Sequence, residues 1–139
     1  MEDLFRVGIS PDFKTEAAGL LEPVLDEIFG PLPYVEYDFL EKKEEVITPD
    51  EIENYDAAIT FRPRFTTASF VGVERLAIIA RWGVGYDMID VSACTEAGVL
   101  LAITTDAVRK PVAEAILTFF LALAKKLLAK DRLVRTGRW

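Results

Sequence analysis

Short apolar runs alternate along this chain with stretches whose hydrophobic residues recur every three or four positions, a pattern that predicts a parallel α/β sheet. Phe5-Arg6-Val7-Gly8-Ile9-Ser10 reads as the first strand. Leu20, Leu21, Val24, Leu25 and Ile28 fall on one helical face, Pro23 suits that helix's first turn, and Gly30-Pro31 stops it. Residues 34–40 read as the second strand, and 41–45 as a charged loop. Thr48-Pro49-Asp50-Glu51 opens a helix, with proline at the first helical position and acids toward the positive end of its dipole. The third strand falls within 55–61, one or two helical turns within 66–73, and the fourth strand at 76–80. Asp90 caps a short helix that ends at Gly98, and 99–103 is the fifth strand. A long helix follows over roughly 111–135. Pro111 stands in its first turn, and Lys125, Lys126, Lys130, Arg132 and Arg135 in its C-terminal half, where cations oppose the dipole.

Five strand–helix units in this sequence predict a flavodoxin-like, doubly wound parallel sheet of order 2-1-3-4-5 over residues 1–110, with the long helix over 111–139. In that order the topological switch lies between the first and third strands, and ligands bind outside the carboxyl ends of the strands near it. The third strand ends at Phe61-Arg62, and its neighbour, the fourth, runs into Gly83-Val84-Gly85. A guanidinium and a turn of bare backbone N–H groups, unshielded by any Cβ, then share one crevice suited to a carboxylate.

Charge and composition narrow the classes. The 139 residues carry a net charge of −7, which opposes nonspecific nucleic-acid binding. One cysteine and no histidine leave neither an internal disulfide nor the usual zinc ligands. The acidic Met1-Glu2-Asp3 start is unlike a signal peptide, and the run 115–124 is too short to span a bilayer. A cytoplasmic protein without membrane, metal or nucleic-acid partners is expected. A phosphoryl-accepting receiver domain needs acids at the ends of strands one and three, where this chain has Ser10-Pro11 and Phe61-Arg62. A flavodoxin needs a hydroxyl- and glycine-rich phosphate loop, and Pro11-Asp12-Phe13-Lys14 is not one.

Four short pieces in order sharpen the reading: Arg81-x-Gly83-x-Gly85-x-Asp87-x-Ile89-Asp90, Ala97-Gly98-Val99, Val112-Ala113-Glu114 and Arg135-x-Gly137-Arg138-Trp139. Together they resemble the D-isomer-specific 2-hydroxyacid dehydrogenases. The resemblance implies the substrate-binding part of an NAD- or NADP-dependent oxidoreductase acting on a small 2-hydroxy or 2-keto acid. It places the substrate carboxylate on the Gly83 turn, held by the N–H groups of Val84 and Gly85, with Arg62 approaching the substrate. It puts Val84 and Val112 beside the nicotinamide and makes the helix over 111–135 a homodimer contact. The family's dinucleotide fingerprint and its catalytic arginine, glutamate and histidine would all lie beyond Trp139. The 139 residues alone are therefore expected to be a truncated piece with no catalytic residue, no bound cofactor and no turnover.

The chain departs from the family at Met88, where asparagine is common, and at Ile103-Thr104-Thr105, where an Asn-x-Pro is common. A second reading, a non-catalytic binding or dimerisation module of the same family, stays open. So do local alternatives. Gly83 and Gly85 can serve only a tight turn, Arg64 is as available as Arg62, and Asp87 can be a structural acceptor. Cys94 reads as a buried inert thiol. The apolar arc of Ile116, Phe119, Phe120, Leu123, Leu127 and Leu128 is broader than one packed face needs.

Overall fold

The computed structural model describes residues 4–17, 19–41 and 45–138. Trp139 and most of the charged 41–45 loop lie outside the described residues. The chain forms two compact units, Met1–Thr104 and Thr105–Trp139.

The first unit is the expected parallel sheet. Its strands are β1 (Phe5–Ile9), β2 (Val35–Phe39), β3 (Ala57–Thr60), β4 (Ile78–Arg81) and β5 (Leu100–Ile103), hydrogen-bonded in the order β2-β1-β3-β4-β5. The register pairs Val7 with Tyr37 and Ala57, Ala57 with Ile78, and Ile78 with Leu100. Because side chains alternate along a strand, that row and the row two residues on share one face. Here Val7, Ile9 and Ala57 pack with Phe13, Ala17 and Leu25. Phe13 begins a one-turn helix, α1 (Phe13–Glu16), that the hydrophobic pattern does not signal; Leu25 belongs to α2 (Glu22–Phe29).

The opposite face buries Ala58 and Ile79 against Ile52, Phe65, Ile89, Ala93 and Cys94. Those residues come from α3 (Pro49–Ile52), the loop after β3, the loop after β4 and α4 (Val91–Glu96). Ile9, Ile52, Ile79 and Phe65 are almost wholly shielded from water. Each such side chain contributes roughly 1.5–3 kcal/mol of hydrophobic stabilisation. Gly8 lies on this second face, where a Cβ would sit 2.7 Å from Leu40, so its lack of side chain is what lets Leu40 close over β1.

Helix ends follow the sequence signals. The Glu51 carboxylate accepts the Thr48 N–H and hydroxyl, each at 2.8 Å, at the start of α3. Asp90 accepts the Ala93 N–H at 3.0 Å, and Gly98 adopts a φ of +70° after α4. The 66–73 segment holds a single 3-10 turn, Thr67–Phe70.

Two expectations need correction. The apolar face expected of α2 does not bury as a whole. Leu21, Leu25 and Phe29 pack inward, whereas Leu20, Val24 and Ile28 are exposed. A short helix against a twisted sheet presents only one i, i+4, i+8 row to it. The long terminal helix begins earlier than expected and is broken in two, as α5 (Asp106–Ala124) and α6 (Leu127–Arg135). Pro111 therefore lies inside α5 and removes the N–H that would reach the Ala107 carbonyl. The break falls at Lys126, whose φ of 51° is left-handed, and the Lys125 and Lys126 N–H groups close the helix on Leu121 and Leu123 carbonyls.

The shielding of the first face stops short of the sheet's end. Leu100, paired with Ile78, is 69% exposed, and Ala102 on the same face is also exposed. β5 is the terminal strand of the sheet.

Candidate functional site

The carboxyl ends of β3 and β4 are joined side by side, with Thr60 paired to Arg81 and the Trp82 N–H donating to the Thr60 carbonyl at 2.8 Å. Beyond that link β4 enters the glycine turn. Gly83 has a φ of +129°, a conformation L side chains rarely adopt. Its carbonyl is held by the Thr104 N–H at 2.9 Å, and the Arg81 guanidinium folds back to the Trp82 carbonyl at 2.6 Å. A Cβ at Gly83 would fall 1.7 Å from Arg81 Nη1. Gly85 is different, since an added Cβ would meet only the Asp87 carboxylate at an ordinary 3.7 Å. Asp87 itself makes no hydrogen bond among the described residues.

The N–H groups of Val84 and Gly85 donate to no group among the described residues, and both residues are exposed. Two adjacent free N–H groups, with the Arg81 guanidinium against Gly83 and the Asp87 carboxylate beside Gly85, are a backbone nest of the kind that accepts a carboxylate oxygen. The turn stands on a packed base. Trp82 stacks on Phe13 with ring centres 4.8 Å apart and also meets Phe61 at 6.0 Å. Arg81 lies over the Phe61 ring at 5.6 Å.

The second half of the edge lies over the switch between β1 and β3. Ser10, buried after β1, donates to Asp12 at 2.5 Å and receives the Phe61 N–H at 3.3 Å. Asp12 also accepts the Arg62 N–H at 2.9 Å. The Arg62 guanidinium turns toward α1 and pairs with Glu16 at 3.0 Å. Beside this pair opens a cavity of about 380 Å³, lined by Pro11, Asp12, Thr15 and Glu16 on one side and by Glu45, Ile47 and Glu51 on another. Arg62, Pro63, Arg64 and Met88 complete it.

The four residues expected to hold substrate thus fall on one edge. Gly83, Val84 and Gly85 form the turn, and Arg62 stands at the end of the adjacent strand. The Arg62 side chain, however, is engaged with Glu16, while the guanidinium lying against the turn is that of Arg81. The motif contained Arg81, but spacing alone does not reveal that it folds under Gly83. Glu16 carried no local signal, because the pairing spans 46 residues and exists only once β1 and β3 are neighbours. Val112, expected near a cofactor, lies on α5 in the second unit and is exposed.

A doubly wound parallel sheet of this order, with a glycine turn and a crevice at its switch point, defines a flavodoxin-like α/β domain. More narrowly, the chain belongs to the D-isomer specific 2-hydroxyacid dehydrogenase, catalytic domain family, whose pattern it matches over residues 16–120. It is 33% identical over 91 residues to a glyoxylate reductase of Thermococcus onnurineus, covering 65% of this chain and 27% of that protein. It is 38% identical over 67 residues to a glyoxylate/hydroxypyruvate reductase of Arabidopsis thaliana, covering 48% and 21%. The chain thus spans about a quarter of the length of the curated relatives it matches. Among solved structures, a Pyrococcus horikoshii protein superposes with a TM-score of 0.71 at 23% identity, over 96% of this chain and 38% of that one. The D-mandelate dehydrogenase of Rhodotorula graminis superposes with a TM-score of 0.70 at 18% identity, over 96% and 41%. Both likenesses speak to the fold. No helix among the described residues is long and apolar enough to cross a membrane.

Proposed function

We propose that this chain is the substrate-binding portion of an NAD- or NADP-dependent D-2-hydroxyacid dehydrogenase. It binds the carboxylate of a small 2-hydroxy or 2-keto acid at the Gly83-Val84-Gly85 turn. The observation that carries the reading is the pair of unengaged N–H groups at Val84 and Gly85, held open by the left-handed Gly83 and flanked by Arg81. Family membership and the glyoxylate reductase relatives support the substrate class. Arg62, just past the adjacent strand, is the residue proposed to approach the rest of the substrate, and Val84 and Val112 are the positions proposed to meet the nicotinamide.

The residues present do not suit the phosphates of a dinucleotide. The turn after β1 presents the Asp12 carboxylate, which opposes a pyrophosphate there. Binding the dinucleotide and moving the hydride are thus not proposed for these 139 residues. The 139 residues alone are proposed to bind substrate without turning it over.

The test is an amide NMR titration of the 139-residue chain with glycolate. The expected result is millimolar binding, about 4 kcal/mol, with the amides of residues 83–86 moving first. Earliest shifts on the basic residues of α6 would overturn the assignment.

A further inference from the structure

Resting on the reading above, we propose that the cavity at the β1–β3 switch receives the substituent on C2 of the substrate, and that the Arg62–Glu16 pair makes it select acids whose substituent is uncharged.

The cavity and the glycine turn lie on one sheet edge. β3 leads into Arg62 and β4 into the turn, and adjacent strands stand about 5 Å apart. An acid whose carboxylate sits on the Val84 and Gly85 N–H groups therefore has room for a substituent of a few atoms reaching toward Arg62. Met88, three residues past Gly85, lines the cavity.

An arginine at that place would ordinarily favour a second anion. Here it is neutralised. Glu16 holds the guanidinium at 3.0 Å. The lining carries four carboxylates against two guanidiniums, a formal excess of negative charge that sets the field a substituent meets. A second carboxylate or a phosphate on the substrate would enter against that field. A hydrogen, methyl or hydroxymethyl group would not, and a hydroxyl would find acceptors there. Glu16 thereby acts on specificity through Arg62, as a positioning and neutralising residue.

The experiment titrates the 139-residue chain with glycolate, a monoanion, and with D-malate, a dianion, following the amides of residues 83–86 and of residue 62. In the wild type D-malate is expected to bind at least fivefold more weakly than glycolate. In Glu16→Gln the gap should narrow about fivefold, the scale of one exposed ion pair. Glu45→Gln, which removes a charge from the exposed rim without touching the pair, should narrow the gap in the same direction by a smaller factor. D-malate binding as tightly as glycolate to the wild type, or a gap that both variants leave unchanged, would overturn the selectivity while leaving the carboxylate site standing. Failure of either acid to move residues 83–86 would overturn both.

Discussion

Gly83 and Gly85 look alike in the sequence and play different parts. Gly83 needs both its left-handed φ and the space that Arg81 fills, whereas Gly85 needs neither. Gly83→Ala is expected to cost about 1–3 kcal/mol of stability, the usual range for a forced backbone conformation. Gly85→Ala should stay within about 0.5 kcal/mol. Urea unfolding of the two variants checks this, and equal losses would contradict it. At this scale the sequence located the glycine turn, without telling Gly83 from Gly85, and showed Asp90 as a helix cap, because both act on near neighbours. It could not show that Arg62 pairs with Glu16, or that Phe13 lies under Trp82, since those contacts need the sheet assembled first.

Between elements, one carboxylate joins distant segments. Asp56, at the approach to β3, accepts the Arg6 N–H of β1 at 2.7 Å and both Nε and Nη2 of Arg75 at 2.9 Å. Burial pushes the Asp56 carboxyl upward, but the Arg75 hydrogen bonds, the Arg6 N–H and the two positive charges outweigh it and hold it below the ordinary value. A lowered pKa stabilises the fold above the unfolded-state value and loses that contribution as pH falls through the folded one. Asp56→Asn should therefore cost about 1–3 kcal/mol at neutral pH. The deficit relative to wild type should stay constant above about pH 5 and close below about pH 4. Urea midpoints from pH 3 to pH 7 measure it, and a deficit independent of pH would refute the assignment. Strand order and most element positions were legible, because apolar runs and turn residues record them locally. The one-turn α1 was too short to leave a period, and the break at Lys126 carries no glycine to announce it.

At the level of the whole molecule, the second unit stands out. Neither α5 nor α6 buries a residue, and Ile116, Phe119, Phe120 and Leu123 are all more than 60% exposed. Apolar surface of that extent calls for a partner, and a closed two-fold pair is the commonest answer. We expect the chain to dimerise through this helical segment. Light scattering at micromolar concentration should give twice 15.5 kDa, and a mass of 15.5 kDa would exclude it. The breadth of the apolar arc was visible in the sequence. The burial of each position was not, because it depends on what lies across from it.

β5 has a separate consequence for handling the protein. Leu100-Leu101-Ala102-Ile103 is an uncharged, proline-free run in the sheet's terminal strand, with Leu100 largely exposed. Such a strand is a template for another strand, and strand-upon-strand growth has no closing symmetry. A helix-mediated pair stops at two copies, whereas edge growth continues with concentration and time. Placing a lysine at Leu100 would blunt the second process and leave the first untouched.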